Sequence, residues 1–123
     1  MNTRRGLAVV ALVTASLLLN AKASADDQYC STIQSDIRSI GDRLDALHAY
    51  EAKLPQPPPQ ADPEDCRLLN ETYVYETKIE TKAMSCLSSS DFDKIQGAFE
   101  KTESAIQTER GLMHCPGGPM PGA

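Results

Sequence analysis

Polar and apolar positions alternate along this chain with a helical rhythm in three separate stretches. In the first, Cys30, Ile33, Ile37, Ile40, Leu44 and Leu47 recur at spacings of 3 and 4. They form one stripe on one face of a helix. Ser35, Asp36, Arg38, Asp42, Arg43 and Asp45 lie between them and suit a solvated face. The pattern predicts a helix over about 27–53, with Ser31 and Gln34 as a capping box. Gly41 weakens it by about 1 kcal/mol relative to alanine.

Prolines 55, 57, 58 and 59 end that helix, because proline lacks the backbone donor and restricts the residue before it. The stretch 54–62 is therefore a stiff connector between antiparallel helices. Its P-x-x-P spacing also fits a proline-recognition ligand, but such ligands are read by cytosolic modules.

A second helix is predicted over 63–87. Asp62 can cap it, Pro63 suits its first position, and Glu64 and Asp65 suit the positive end of the helix dipole. Leu68, Thr72, Tyr75, Ile79 and Cys86 give it a loose apolar stripe. Residues 72–81, TYVYETKIET, also carry strand-favouring side chains. A lone strand would have no partner, so helix is the expectation.

Ser88-Ser89-Ser90 interrupts the pattern, and Ser90 with Asp93 opens a third helix over 91–113. Phe92, Ile95, Phe99, Ile106 and Met113 set its stripe, with Thr102 and Glu109 in the missing positions. Cys115-Pro116-Gly117-Gly118-Pro119 ends it, and the tail 116–123 is expected to be mobile.

The start of the chain changes the count of everything else. Arg4 and Arg5 precede an apolar run, Leu7 to Leu19, and Ala23-Ser24-Ala25 supplies small residues for a signal peptidase. Residues 1–25 read as a signal peptide cut after Ala25, and the run is too short to span a bilayer. The alternatives are an uncleaved anchor and, from Arg4-Arg5, twin-arginine rather than general secretory export. The localisation expected is periplasmic or secreted, with no integral membrane segment after cleavage.

Cleavage leaves 98 residues, one domain at 26–115 plus its tail. It removes Arg4, Arg5 and Lys22, leaving 9 bases against 17 acids, a net charge of −8. Nucleic acid and anionic membranes are excluded as partners. There is no tryptophan, and Phe92 and Phe99 are the only phenylalanines, so the core is thin. Small exported domains with thin cores rely on disulfides.

The helix layout chooses among the three possible cysteine pairings. Three helices with short connections pack up-down-up. Cys30 at the start of the first then meets Cys86 at the end of the second. Cys66 at the start of the second meets Cys115 just past the end of the third. A 24-residue helix is about 36 Å long, and bridged cysteines need Cα atoms within about 7 Å. The other pairings would join opposite poles. The expected fold is all-α: a small antiparallel three-helix bundle stapled by Cys30–Cys86 and Cys66–Cys115.

Catalytic chemistry is not evident. His48 and His114 are the only histidines, and His48 falls at the edge of the first stripe. The serines cluster where capping explains them. No C-x-x-C occurs, and the cysteine spacings match no zinc pattern. Met113, His114 and Met120 are soft ligands of the copper type, although Met113 also fits the core stripe. Asn70-Glu71-Thr72 forms a glycosylation sequon, explained as chance by the bacterial character of the signal.

Leu69-Asn70-Glu71-Thr72-Tyr73 resembles the L-N-x-x-Y stretch of a family of exported bacterial lysozyme inhibitors. The resemblance covers five residues, and the family's surrounding cysteine pairs are absent. Size and build are similar to those of periplasmic acid-stress chaperones, by analogy of architecture. The leading expectation is a non-catalytic binding protein for a basic protein partner. That partner would meet the faces bearing Asp36, Asp42, Asp45, Glu76, Glu80, Glu100 and Glu103. The alternatives are a chaperone opened by acid and a copper carrier; no cofactor is expected.

Overall fold

A computed structural model describes residues 27–56 and 58–120. The expected signal peptide and the expected cut after Ala25 lie outside the described residues. Four helical segments follow one another: α1 (Asp27–Cys30), α2 (Ile33–Glu51), α3 (Pro63–Cys86) and α4 (Ser89–Leu112). With α1 and α2 taken together, this is the expected all-α, three-helix arrangement stapled by two disulfides. The stretch 72–81 is helical, in the middle of α3. Residues favouring strands become helical here because α3 packs against α2 on one side and α4 on the other.

The first helix is broken where continuity was expected. Ser31 and Thr32 form a turn between α1 and α2. The Ser31 hydroxyl donates to the Gln28 carbonyl rather than capping, and Thr32 donates to Asp36 Oδ2 across 2.9 Å. Short polar side chains compete with the helix ladder for backbone groups in this way. At its other end α2 stops at Glu51, two residues before the expected boundary, and Gln56 Nε2 donates to the Glu51 carbonyl.

The start of α3 follows its sequence signal. Asp62 is the cap, accepting from the Asp65 amide at 3.0 Å, and Pro63 takes the first helical position. The Tyr50 hydroxyl donates to the same Asp62 carboxylate at 2.7 Å, so the cap also ties α2 to α3. For α4 the cap is Ser88, not Ser90. Ser88 Oγ accepts from the Asp91 amide at 3.1 Å, and the helix starts two residues earlier than expected.

The core gathers Ile33, Ile37, Ile40, Leu44 and Leu47 from α2 with Leu69, Tyr73, Ile79 and Ala83 from α3 and Ile95, Phe99 and Ile106 from α4. On α3 the buried stripe keeps the expected Thr72, Ile79 and Cys86 but departs from the expected one at two points. Leu69 and Tyr73 are buried, whereas Leu68 and Tyr75 only flank the core. Thr102 and Glu109 of α4 are buried in register with its apolar stripe.

Both disulfides form as the helix layout requires. Cys30 and Cys86 join with Cα atoms 5.4 Å apart, and Cys66 and Cys115 at 5.5 Å. They close loops of 56 and 49 residues. The chain-entropy account gives each about 4 kcal/mol of stabilisation. Their presence fits an oxidising compartment. Among the described residues no helix is long and apolar enough to cross a membrane.

The C-terminus of α4 closes with a Schellman turn. The Cys115 amide donates to the Arg110 carbonyl, and the His114 amide to that of Gly111. His114 occupies the left-handed position, φ +63°, where glycine is usual. The described part of the tail then doubles back. Gly117 (φ +95°) and Gly118 (φ +67°) make the bend that L side chains rarely adopt. Arg110 holds the bend through Pro116 O at 2.7 Å and Gly118 O, and Gln107 exchanges two hydrogen bonds with the Met120 backbone.

Candidate functional site

Two features stand out: a grooved face along α3 and a set of carboxyls buried between the helices.

The grooved face begins at a depression of about 360 Å³ lined by Arg43, Asn70, Glu71, Val74, Tyr75 and Lys78. Arg43 of α2 reaches across so that its guanidinium lies 4.0 Å from the centroid of the Tyr75 ring. That contact fixes a long, flexible cation on an aromatic face. Val74, at the rim, is 47% exposed. Asn70 and Glu71 also line a second depression of about 420 Å³, completed by Ala61, Pro63, Cys66, Arg67 and Pro116. Arg67 sits between Glu64 and Glu71, at 2.5 and 2.7 Å. Its guanidinium, donating to the Glu64 carboxylate, holds that carboxyl below the usual range. The sequon residue Asn70 is engaged, since its Oδ1 accepts from Arg110 Nε at 2.7 Å.

The carboxyls form two groups. At one pole Glu51 ends α2, Asp65 lies in the first turn of α3, and Glu109 lies near the end of α4. All three are buried, Asp65 completely. Among the described residues no N–H or O–H group donates to the Glu51 and Asp65 oxygens. Glu51 is within hydrogen-bonding reach of Asp65 and Glu109, so a proton on one carboxyl can join it to the next. Burial raises Glu51 to about 10, with the bonds to Asp65 and Glu109 adding to the effect. Burial also raises Asp65.

In mid-bundle, Glu76 of α3 is fully buried and faces Glu103 of α4. Burial raises Glu76 to about 9, and the Glu103 and Glu80 charges push the same way. Burial raises Glu103 to about 8, reinforced by its hydrogen bond with Glu80. Burial pushes the phenol of Tyr73 up, against an opposing pull from nearby Gln107. These positions correct the sequence reading, which placed Glu76 and Glu103 on a solvated face. Asp36 is also engaged, paired with Lys82 at 2.6 Å. Asp42, Asp45 and Glu100 are exposed as expected.

Metal chemistry is not assembled from the expected residues. Met113 is buried in the core, His114 is exposed at the helix-ending turn, and Met120 packs against the core with its backbone held by Gln107. Among the described residues, Asp65, Cys66 and Cys115 bring three metal-type ligand atoms within 4.8 Å of one another. Both sulfurs belong to the disulfide and are not thiolates, so the group does not act as a metal centre. His48 lies at the edge of the α2 stripe with a buried Nε2 that has no hydrogen-bond partner among the described residues. Sequence reasoning missed the buried carboxyls. Their one signal was Glu109 standing in an apolar register, because Glu76 and Glu103 look like ordinary surface positions.

No protein-family model, curated protein or solved structure matches this chain.

Proposed function

We propose that this is an exported, non-catalytic binding protein that engages a protein partner through the α2–α3 face. The observation that carries this reading is the continuous grooved surface sharing Asn70 and Glu71, with Val74 exposed and Tyr75 braced by Arg43. Concave surfaces with apolar floors and a few fixed polar groups are where ligands and partners dock. Neither groove is lined by histidine or serine. At −8, the mature chain steers basic partners toward it at low ionic strength.

The test is capture from envelope or culture extracts at low and high salt, with wild type and Val74→Asp compared. Specific capture that the substitution abolishes is expected. Equal capture by both would move the surface elsewhere, and no captured protein at low salt would remove the reading.

A role in acid stress is the second reading, favoured by the buried carboxyls. They make acid the condition in which the bundle holds best, so the protein persists at low pH. That direction is opposite to the one a chaperone opened by acid requires.

A further inference from the structure

α4 is held at both ends. Two residues, Leu87 and Ser88, separate its start from Cys86, and Cys86 is bridged to Cys30. Just past its other end, Cys115 is bridged to Cys66 at the start of α3. Between these anchors, α4 packs through Phe92, Ile95, Phe99 and Ile106, and it also buries Glu103 and Glu109 against its neighbours.

The groups around those two side chains are acidic or neutral. Facing Glu109 are Glu51 of α2 and Asp65 of α3, with the Asp62 carboxylate nearby, already accepting from Tyr50. His48 lies one turn before Glu51 on α2. Facing Glu103 are Glu76, Glu80 and the Tyr73 phenol of α3, with Glu100 on its own helix. The neighbouring cation, Arg110, donates instead to Asn70 and to the Pro116 and Gly118 carbonyls. Among the described residues no ion pair includes Glu51, Asp65, Glu76, Glu103 or Glu109.

We propose that Glu76 and Glu103 in mid-bundle, with Glu51 and Asp65 at the pole, form a proton-dependent latch, which seats α4 while they are protonated and lets it bow away from α2 and α3 when they ionise. A first charge between the helices has neither solvent nor a cation to stabilise it. A second is created beside the first, so the ionised state is repulsive as well as desolvated. The staples keep the opened helix in place at both ends, and the change is a reversible strap movement rather than global unfolding. It uncovers Phe99 and Ile106 of α4 and the Tyr73 face of α3, which are buried in the closed form.

The experiment uses the mature, oxidised protein taken from pH 5 to pH 10 and back. Readouts are amide exchange of α4 against α2, corrected for intrinsic base catalysis, and binding of an apolar fluorescent dye. Protection in α4 should fall selectively above neutral pH, with dye uptake and full recovery on return. The double variant Glu76→Gln, Glu103→Gln should move the onset upward by about one pH unit or more. Uniform loss of protection across α2 and α4, or an onset unmoved in the variant, would overturn the latch. Should the variant fail to fold, carboxyl-carbon NMR of the wild type decides. Elevated, coupled titrations of Glu76 and Glu103 support the latch, and titration of both near the unfolded value of 4.5 refutes it.

Discussion

Arg110 Nε donates to Asn70 Oδ1 across 2.7 Å, joining α4 to α3 at the point where the chain also turns back on itself. The same guanidinium binds the Pro116 and Gly118 carbonyls. One side chain therefore fixes both a helix pair and the tail. Arg110→Ala should lower stability by about 2–3 kcal/mol, since it removes three charge-assisted hydrogen bonds made by a buried side chain. It should also release residues 116–120, seen as sharpened backbone NMR signals. A destabilised variant whose tail stayed ordered would mean that Gln107 alone holds it.

Each disulfide should contribute about 4 kcal/mol, close to the whole stability of many small domains. Replacing Cys30 and Cys86, or Cys66 and Cys115, by serine should leave a weakened fold in urea titrations. Losing both pairs should leave no cooperative transition at neutral pH. A cooperative transition in the cysteine-free chain would show that the thin core suffices alone.

The three serines before α4 should separate cleanly. Ser88→Ala removes the acceptor for the Asp91 amide and should cost about 1 kcal/mol. Ser90→Ala, inside the first turn and exposed, should change stability by less than about 0.5 kcal/mol. Denaturant midpoints of the two variants make the comparison.

Glu76→Gln should be more stable than wild type at neutral and alkaline pH. The folded protein holds its Glu76 proton to about 9, against 4.5 for a solvated glutamate, so folding binds protons. The stability this supplies is fully present below 4.5 and is lost as pH rises through 9. The neutral amide does not titrate, and the gap between variant and wild type should widen with pH across that window. Urea midpoints at pH 4, 7 and 9 measure it; a constant gap would mean that the carboxyl titrates in the fold as it does in the unfolded chain.

His114→Gly should stabilise the domain by about 1 kcal/mol or less. At φ +63° the imidazole gains nothing from the core, and glycine adopts that conformation without steric penalty. The increase in unfolded-chain entropy trims the gain. Thermal melting measures the sign, and destabilisation would reveal an unrecognised role for the ring.

Much of the architecture was legible because the deciding signals are local or topological. Ile33, Ile37, Ile40, Leu44 and Leu47 follow one helical face. Asp62-Pro63 marks a helix start, and helix length alone selects Cys30–Cys86 and Cys66–Cys115. The break at Ser31–Thr32 was hidden because an apolar stripe continues through it. The cap at Ser88 was hidden because any of three adjacent serines fits the signal. The burial of Glu76 and Glu103 was illegible for a different reason. A central helix contacts neighbours on two sides, so a residue that looks solvated on one helical wheel can face the second neighbour. The grooved face is a surface of the packed helices, and single-helix periodicity carries no trace of it.

The two sulfur links overlap along the chain, one spanning 30 to 86 and the other 66 to 115. Every peptide bond from residue 30 to residue 115 is therefore bypassed by at least one covalent detour. A protease that nicks this region once, for example beside the exposed Pro55 and Gln56, cannot separate two fragments. Only a second cut or a reductant divides the molecule, and single clips should go unseen on a non-reducing gel.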